Sequence, residues 1–591
     1  MRPRALIAVV LTTIAMAGSA PAQSQPPLHW QPWSDAVFAQ ARAQHKFVLL
    51  DLEAVWCHWC HVMDDVTYKD PIVIRLLNSQ FLLVKVDQDS RPDISNRYED
   101  YGWPATVVFA ADGSEIVKRQ GYIPPRRMSS MLQAIIEDPS PGPSVVKEAA
   151  FHPAPTSTLT PAILTTVRAG YERQYDTEAA GWGFGHKYLD SDSVELALRL
   201  AARGNQTYAQ RAAATLHNAT ALIDPVWGGM DQYSVDGAWN EPHFEKLISI
   251  QADALREYSL AWAQTANPED LKAVQSVHAF VTNFLTSPDT GAFYVSQDAD
   301  LHDGEENESY FKLNDAERRR QGLPRIDTHL YARENGWMIA ALCDVYAATG
   351  DATALDQAQR ASRWIVAHRS LPGGGFRHGD ADPAGPYLGD TLAMGHAFLD
   401  LYNVTGDRQN LHAAEFAARF INEHFAPAAP GTGFVTSAQP TDAAYRPHPE
   451  RDEDIALVRF ASMLALATGN KTFQATSFEA MRYLAAGSVA TEPLSAGILL
   501  ANEDATQAPL HVTIVGPAAD PASIALHNAA LRSLVSHELI EVRDPADPTP
   551  TPIAYPKLNR PALYLCTATA CSSPIFDPAQ VHAKIQHAQL Q

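Results

Sequence analysis

Apolar positions along the first 140 residues switch between two periods. Residues 33–44 carry Val37, Phe38 and Ala41 at helical spacing, and the run Phe47-Val48-Leu49-Leu50-Asp51-Leu52 predicts a buried strand. Helical spacing returns over 62–77. Two more strands follow, FLLVKVD at 81–87 and TVVF at 106–109, the second closed by the turn Asp112-Gly113. Helix and strand in alternation predict an α/β sheet, which places the stretch AVWCHWCHV, residues 54–62, at a strand-to-helix junction.

Residues 138–155 contain PSPGPS and HPAP, a Pro-rich spacer. Beyond it the pattern becomes helical and recurrent. Tight turns read ARGNQ (202–206), ATGDA (348–352), VTGDR (404–408) and ATGNK (467–471), with a looser QTANPED at 264–270. Each offers a helix-ending Gly or Asn, and most offer an Asp or Asn to cap the next helix, the grammar of an αα-hairpin. Between them lie Gly/aromatic loops: Gly181-Trp182-Gly183-Phe184, Trp227-Gly228-Gly229-Met230, Gly291-Ala292-Phe293-Tyr294, Gly373-Gly374-Gly375-Phe376 and Gly431-Thr432-Gly433-Phe434. The two series interleave at about 45 to 85 residues, which marks a repeat architecture. Five hairpins are visible, one short of a closed toroid of six. From 509 onward the pattern changes again: a strand at 511–515, a helix at 522–536 and a strand at 562–566 predict a small α/β appendage.

The chain has 591 residues, 46% apolar and 19% charged, more than one hydrophobic core usually organises. Its net charge of -22 and the lack of any basic run exclude nucleic-acid partners. Arg2 and Arg4 precede an apolar run at 5–17 and then Ala20-Pro21-Ala22, which predicts a secretory signal peptide over 1–22. That run is shorter than the ~20 apolar residues a membrane span needs. The expectation is an exported, periplasmic chain with no membrane partner after cleavage. Of five cysteines, Cys566 and Cys571 are close enough in sequence to close a short-loop disulfide there.

The C-x-x-C-H of Cys57, Cys60 and His61 is open to three readings: haem attachment, a zinc cluster with His58 or His61, or a redox dithiol. An inert structural disulfide is a fourth. Position favours the dithiol. At a helix N-terminus the free N–H groups and the helix dipole stabilise a thiolate, which makes Cys57 the exposed nucleophile and Cys60, one turn on, the resolving thiol. Asp51, at the inner end of the strand, is placed to take the proton of Cys60. His58 can stabilise the Cys57 thiolate when protonated. No cofactor and no metal is expected.

These residues, VLLDLEAVWCHWC, resemble the thioredoxin superfamily in strand, buried Asp, Trp and dithiol spacing. The resemblance implies a cis-proline facing the dithiol, and Trp103-Pro104 before the strand at 106–109 matches that position. With the hairpins carrying Tyr233-Ser234-Val235-Asp236, Pro242-His243-Phe244-Glu245-Lys246 and Gln297-Asp298-Ala299-Asp300, the chain resembles the spermatogenesis-associated thioredoxin-like family. With the patterns above, that gives an α/β thioredoxin-like domain (28–138), a Pro-rich linker (139–158), an all-α (α/α)6-type toroid (159–500), which the resemblance likens to six-hairpin glycosidases and sugar 2-epimerases, and a small C-terminal α/β appendage (505–591). Where family members usually carry GGFHRYS and SWNG, this chain has GGMDQYS and Arg333-Glu334-Asn335-Gly336, and the APKFP segment is shortened to Gly185-His186-Lys187-Tyr188.

Catalysis is therefore assigned to Cys57, Cys60, Asp51 and Pro104, exchanging disulfides with protein clients or a redox partner. Candidate contacts to a substrate, including a carbohydrate, are Trp56, Trp103, Trp182, Asp231, Tyr233, His243, Glu245, Asp298 and Asp300. Paired carboxylates and stacking aromatics suit sugar chemistry, which sets a sugar-processing toroid with an accessory dithiol domain, and a non-catalytic scaffold, against the oxidoreductase reading. Asp298 and Asp300 serve equally well as Asx-turn or N-cap residues, and Glu245 as a partner of Lys246 or a neighbour.

Overall fold

The computed structural model describes residues 26–98, 102–146, 150–305, 307–438, 447–533, 536–546, 553–567 and 570–590; the expected signal peptide lies outside them. At the N-terminus, β1 (Trp30–Gln31), α1 (Asp35–Gln44), β2 (Phe47–Glu53), α2 (His58–Val62), α3 (Pro71–Gln80), β3 (Phe81–Asp87), α4 (Pro92–Tyr98), β4 (Ala105–Phe109), β5 (Glu115–Gln120) and α5 (Pro125–Glu137) build one five-stranded sheet, ordered β1-β3-β2-β4-β5. Strand β2 runs parallel to β3 and antiparallel to β4. Alternation sorts its side chains: Val48, Leu50 and Leu52 pack with Phe38 and Val84 on one face, while Leu49 packs with Met63, Leu77 and Leu83 on the other. The helical pattern at 62–77 is two helices rather than one. After α2 comes a π turn, Met63–Thr67, and α3 starts afresh at Pro71. Pro71 lacks the N–H that would continue the first helix, and Asp70 accepts from the N–H groups of Ile72 and Val73 to cap the second.

The next region opens with α6 (Pro161–Gln174) and the two-residue strands β6 (Tyr175–Asp176) and β7 (Gly181–Trp182). Helix pairs follow: α7 (Ser191–Ala202) with α8 (Gln206–Ala219), α9 (Ile248–Thr265) with α10 (Pro268–Phe284), then, past the short α11 (Glu308–Phe311) and α12 (Asp315–Gln321), α13 (Ala332–Thr349) with α14 (Ala352–Arg369), α15 (Leu388–Thr405) with α16 (Arg408–His424), and α17 (Arg451–Thr468) with α18 (Lys471–Leu484). Gly350, Gly406 and Gly469 end their helices in the left-handed conformation, and Asp351, Asp407 and Asn470 cap the next ones. After α19 (Gly487–Ala490) comes α20 (Ala496–Thr506). Helices α7, α9, α13, α15, α17 and α20 each pack against the next, and α20 returns to α7, so the inner ring of six is closed. The sixth outer helix is α6, packed on α20 from the far end of the chain. No hairpin turn joins that pair, which is why only five are visible in sequence.

At the end where the inner helices begin, the Gly/aromatic loops fold back on themselves through the bridges Ile223 to Met230, Thr286 to Phe293 and Ser370 to Phe376. The same loops form the pair β8 (Tyr233–Ser234) and β9 (Pro242–His243) and the three-stranded group β10 (Lys246–Leu247), β11 (Ser296–Gln297) and β12 (Ile326–Asp327). The N-terminal sheet unit sits on this mouth. The opposite end is covered by β13 (Leu510–Val515), α21 (Pro521–Leu531), β14 (Glu538–Arg543), β15 (Ala562–Cys566) and α22 (Val581–Gln589). Tyr402 there donates to Glu541 (3.0 Å) and Arg532 to the Tyr346 carbonyl (2.8 Å). Helix α21 is shorter than the 522–536 pattern. Cys571 lies opposite Cys566 and is bonded to it. Along the ring axis remains a cavity of about 580 Å³. Among the described residues no helix is long and apolar enough to cross a membrane.

Candidate functional site

Cys57 is the N-cap of α2, and its Sγ lies 3.2 Å from the N–H of Cys60, one turn on. A sulfur at this position faces unpaired helix N–H groups, the setting that favours thiolate over thiol. In the structure the two sulfurs are bonded to each other. The Trp103-Pro104 peptide at the head of β4 is cis. Asp51 in β2 stands in register with Lys85 in β3, whose Nζ is 3.5 Å from Asp51 and 2.7 Å from both Glu53 and Asp64. Burial pushes the Asp51 carboxyl up to about 6, against the pull of Lys85. Asp51, Glu53 and Asp64 converge closely enough for a cation, but the Lys85 ammonium already stands among them. Sequence reasoning missed Lys85. Its signal was a charge within an apolar strand, in phase with the inward-facing Phe81 and Leu83.

The expected exposure of Cys57 is not found. Cys57 is 4% and Cys60 2% exposed, because Trp56, Trp103 and the ring residue Leu247 pack over the pair. The histidines on either side of Cys60 are held by one carboxylate from the ring: Asp300 Oδ1 lies 2.7 Å from His58 Nδ1 and Oδ2 lies 3.0 Å from His61 Nδ1. Burial alone would lower both imidazoles, yet the bonds to Asp300 leave both raised. Burial would raise Asp300, yet the two histidines bring it down to about 2. Arg325 donates to the Val55 carbonyl and to Asp298 (3.1 Å). His61, Asp298 and Asp303 also cluster at metal-like spacing, but the Arg325 guanidinium lies against all three. On the other side of the dithiol, Trp56 Nε1 donates to Asp89 (2.8 Å), and Trp56, Trp103, Gln232, Arg333, Glu334 and Trp337 wall a cavity of about 220 Å³ between the two units.

The family described as Thioredox_DsbH, a protein of unknown function, DUF255, matches residues 20–138. Thioredoxin from Mycoplasmoides gallisepticum is 31% identical over 94 residues, 16% of this chain and 89% of that protein. The N-terminal domain belongs to the thioredoxin family. Spermatogenesis-associated protein 20 of Mus musculus is 26% identical over 310 residues, 46% of this chain and 39% of that one. The chain spans about two fifths of the length of the curated relatives it matches. A cellobiose 2-epimerase from Bacillus thermoamylovorans is 12% identical over 55% of this chain and 86% of that one, with a TM-score of 0.44. At that level the closed ring of helices, not the likeness, establishes the toroid.

Of the residues assigned to a substrate, the thioredoxin domain and the mouth bring several together. Glu245 is buried beside His58, Asp298 and Asp300, its Oε2 has no hydrogen-bond partner among the described residues, and burial pushes it up to about 7. It does not pair with Lys246. His243 lies 3.9 Å from Glu245, stacks on Tyr233 (4.4 Å), and is lowered to about 4 by burial. Asp298 does act as a turn residue, accepting from the Asp300 N–H (2.9 Å). Others are engaged elsewhere. Trp182 is 1% exposed and stacks on Tyr171, so its ring is core rather than a sugar platform. Phe293 and Phe376 are buried likewise. Asp231 pairs with Lys246 (2.5 Å), next to the Asp224–Arg318 pair, in a buried charge cluster.

His378 is a second link that sequence reasoning did not foresee: Nδ1 faces Asp390 (2.9 Å) and Nε2 faces the Asp89 carbonyl of the thioredoxin domain (2.6 Å). Against a burial cost, Asp390 raises His378 to about 9. The folded value lies above the unfolded one, so this bond's contribution is complete below about 6.5 and is lost as pH rises through about 9. Comparing urea midpoints of the full chain and His378→Gln from pH 6 to 10 should show a wild-type advantage on the order of 3 kcal/mol shrinking over that window. A pH-independent difference would refute this account.

Proposed function

We propose that the chain is a thiol-disulfide oxidoreductase, with Cys57 as nucleophile and Cys60 as resolving thiol. One observation carries the reading: Cys57 caps α2 with its sulfur against the Cys60 N–H. Cys57 thiolate attacks a substrate disulfide, forms the mixed disulfide and releases one substrate thiolate. Cys60, losing its proton, then attacks Cys57 Sγ; the protein disulfide forms, the second substrate thiol leaves, and two electrons have passed to the substrate. Asp51, a buried carboxyl with Oδ1 unpartnered among the described residues, suits the role of proton acceptor. The substrates are protein disulfides or a redox partner, and the apolar run at 5–17 between Arg4 and Ala20-Pro21-Ala22 supports a location outside the cytoplasm. The test is exchange between the reduced full chain and a fluorogenic disulfide peptide. The wild type should accelerate it and Cys57→Ser with Cys60→Ser should not; equal rates would refute the assignment.

A second reading, that the toroid processes a sugar, rests on the axial cavity. Asp253 there is pushed up to about 7 by burial and Asp400 to about 8, beside Arg256 and Arg459, an acid/base set different from the loop residues first considered. Incubation with reducing aldoses, read by proton exchange at C2, should show turnover that Asp253→Asn removes.

A further inference from the structure

We propose that Asp300, a toroid residue, is a positioning residue for the dithiol: accepting from His58 Nδ1 at 2.7 Å, it holds a charged imidazole in the residue next to Cys57 and thereby favours the thiolate. The inference rests on the oxidoreductase reading and adds that the toroid, not the thioredoxin domain alone, sets the dithiol's poise.

The geometry is specific. His58 and Cys57 are adjacent at the first turn of α2, so a charge on the imidazole adds to the field of the helix N-terminus. The carboxylate that fixes it comes from 242 residues away in sequence and is itself 3% exposed. Asp300 is held from behind by its other bonds, accepting from the Gly304 N–H (2.8 Å) and facing His61 (3.0 Å), so its Oδ1 is committed to His58. The other charged or titratable groups around this imidazole are Glu245, Asp298, His61 and His243. Glu245 and Asp298 are buried acids that add to the effect of Asp300 when ionised, whereas His61 and His243 oppose it when charged. Of these groups, among the described residues, Asp300 is the one in hydrogen-bond contact with His58. A thiolate stabilised in the reduced protein makes the disulfide easier to reduce, because the stabilisation is lost when the S–S bond forms.

Two measurements on the full chain test this. Reduced protein is equilibrated with oxidised glutathione, so that one protein dithiol and one glutathione disulfide exchange for one protein disulfide and two glutathione thiols. Thiolate ultraviolet absorbance is then titrated with pH, as the difference from Cys57→Ser. This reports the buried sulfur without a reagent having to reach it. Asp300→Asn keeps the shape and removes the charge. It should shift the glutathione equilibrium toward the protein disulfide by roughly tenfold, about 30 mV for a two-electron couple, and move the thiolate midpoint to higher pH. His58→Gln should do the same, and adding Asp300→Asn to it should change nothing further. If wild type shows neither exchange nor a thiolate step, the oxidoreductase reading itself fails. If wild type exchanges but Asp300→Asn, with an unchanged melting temperature, titrates like wild type, or if the two substitutions add, the role assigned to Asp300 is refuted.

Discussion

In Cys60→Ser, a mixed disulfide between Cys57 and the substrate is expected to accumulate to near one per chain, because the thiol that would attack it is gone. Cys57 alone has its sulfur at the N-terminal end of α2, against the Cys60 N–H, with Cys60 one turn on, so first attack survives the substitution and resolution does not. Cys57→Ser should reduce exchange to the uncatalysed rate and trap nothing. Asp51→Asn should slow resolution about a hundredfold while sparing first attack, as a base that serves Cys60 requires. Mass spectrometry of quenched reactions separates the steps. Trapping at Cys60 in Cys57→Ser would reverse the roles.

Glu195→Ala is expected to cost the toroid about 3–5 kcal/mol, the usual consequence of leaving buried charges uncompensated. Glu195 is 1% exposed on the inner helix α7 and is the shared acceptor of Arg199 (2.8 Å) on the same helix, Arg256 (3.2 Å) on α9 and Arg459 on α17. Burial would raise its carboxyl, yet Arg459, Arg256 and Arg199 hold it well below the usual carboxylate range. Asp504 and Asp344 retain contacts to these guanidiniums but are already committed to them. The check is denaturant unfolding of the full chain followed by far-ultraviolet circular dichroism. A loss below about 1 kcal/mol would mean the remaining carboxylates suffice.

What could be read in the sequence follows from where each signal resides. The dithiol, Asp51 and Pro104 lie within elements whose periodicity is local, and the hairpin turns carry their own caps, so both were visible. The sixth helix pair was not, because α6 and α20 meet only in space. The placement of the dithiol was also invisible: the spacing of Cys57 and Cys60 says nothing about Leu247 or Asp300 lying over them. Trp182 and Asp231 were read as loop residues facing a ligand, but stacking on Tyr171 and pairing with Lys246 are properties of partners far away in the chain. Lys85 was legible in principle, as a charge at an inward phase of a strand.

The pairing of α6 with α20 also shapes how the chain can fold. Five hairpins can form as soon as their two helices exist, since each closes over a short turn. The last pair joins residue 174 to residue 496, and closing it first would cost the entropy of a flexible loop of some three hundred residues, so closure waits until nearly the whole ring between them has been made. Until then, the inner faces of α7 and α17 stand open on either side of the gap, presenting apolar surface to whatever is nearby.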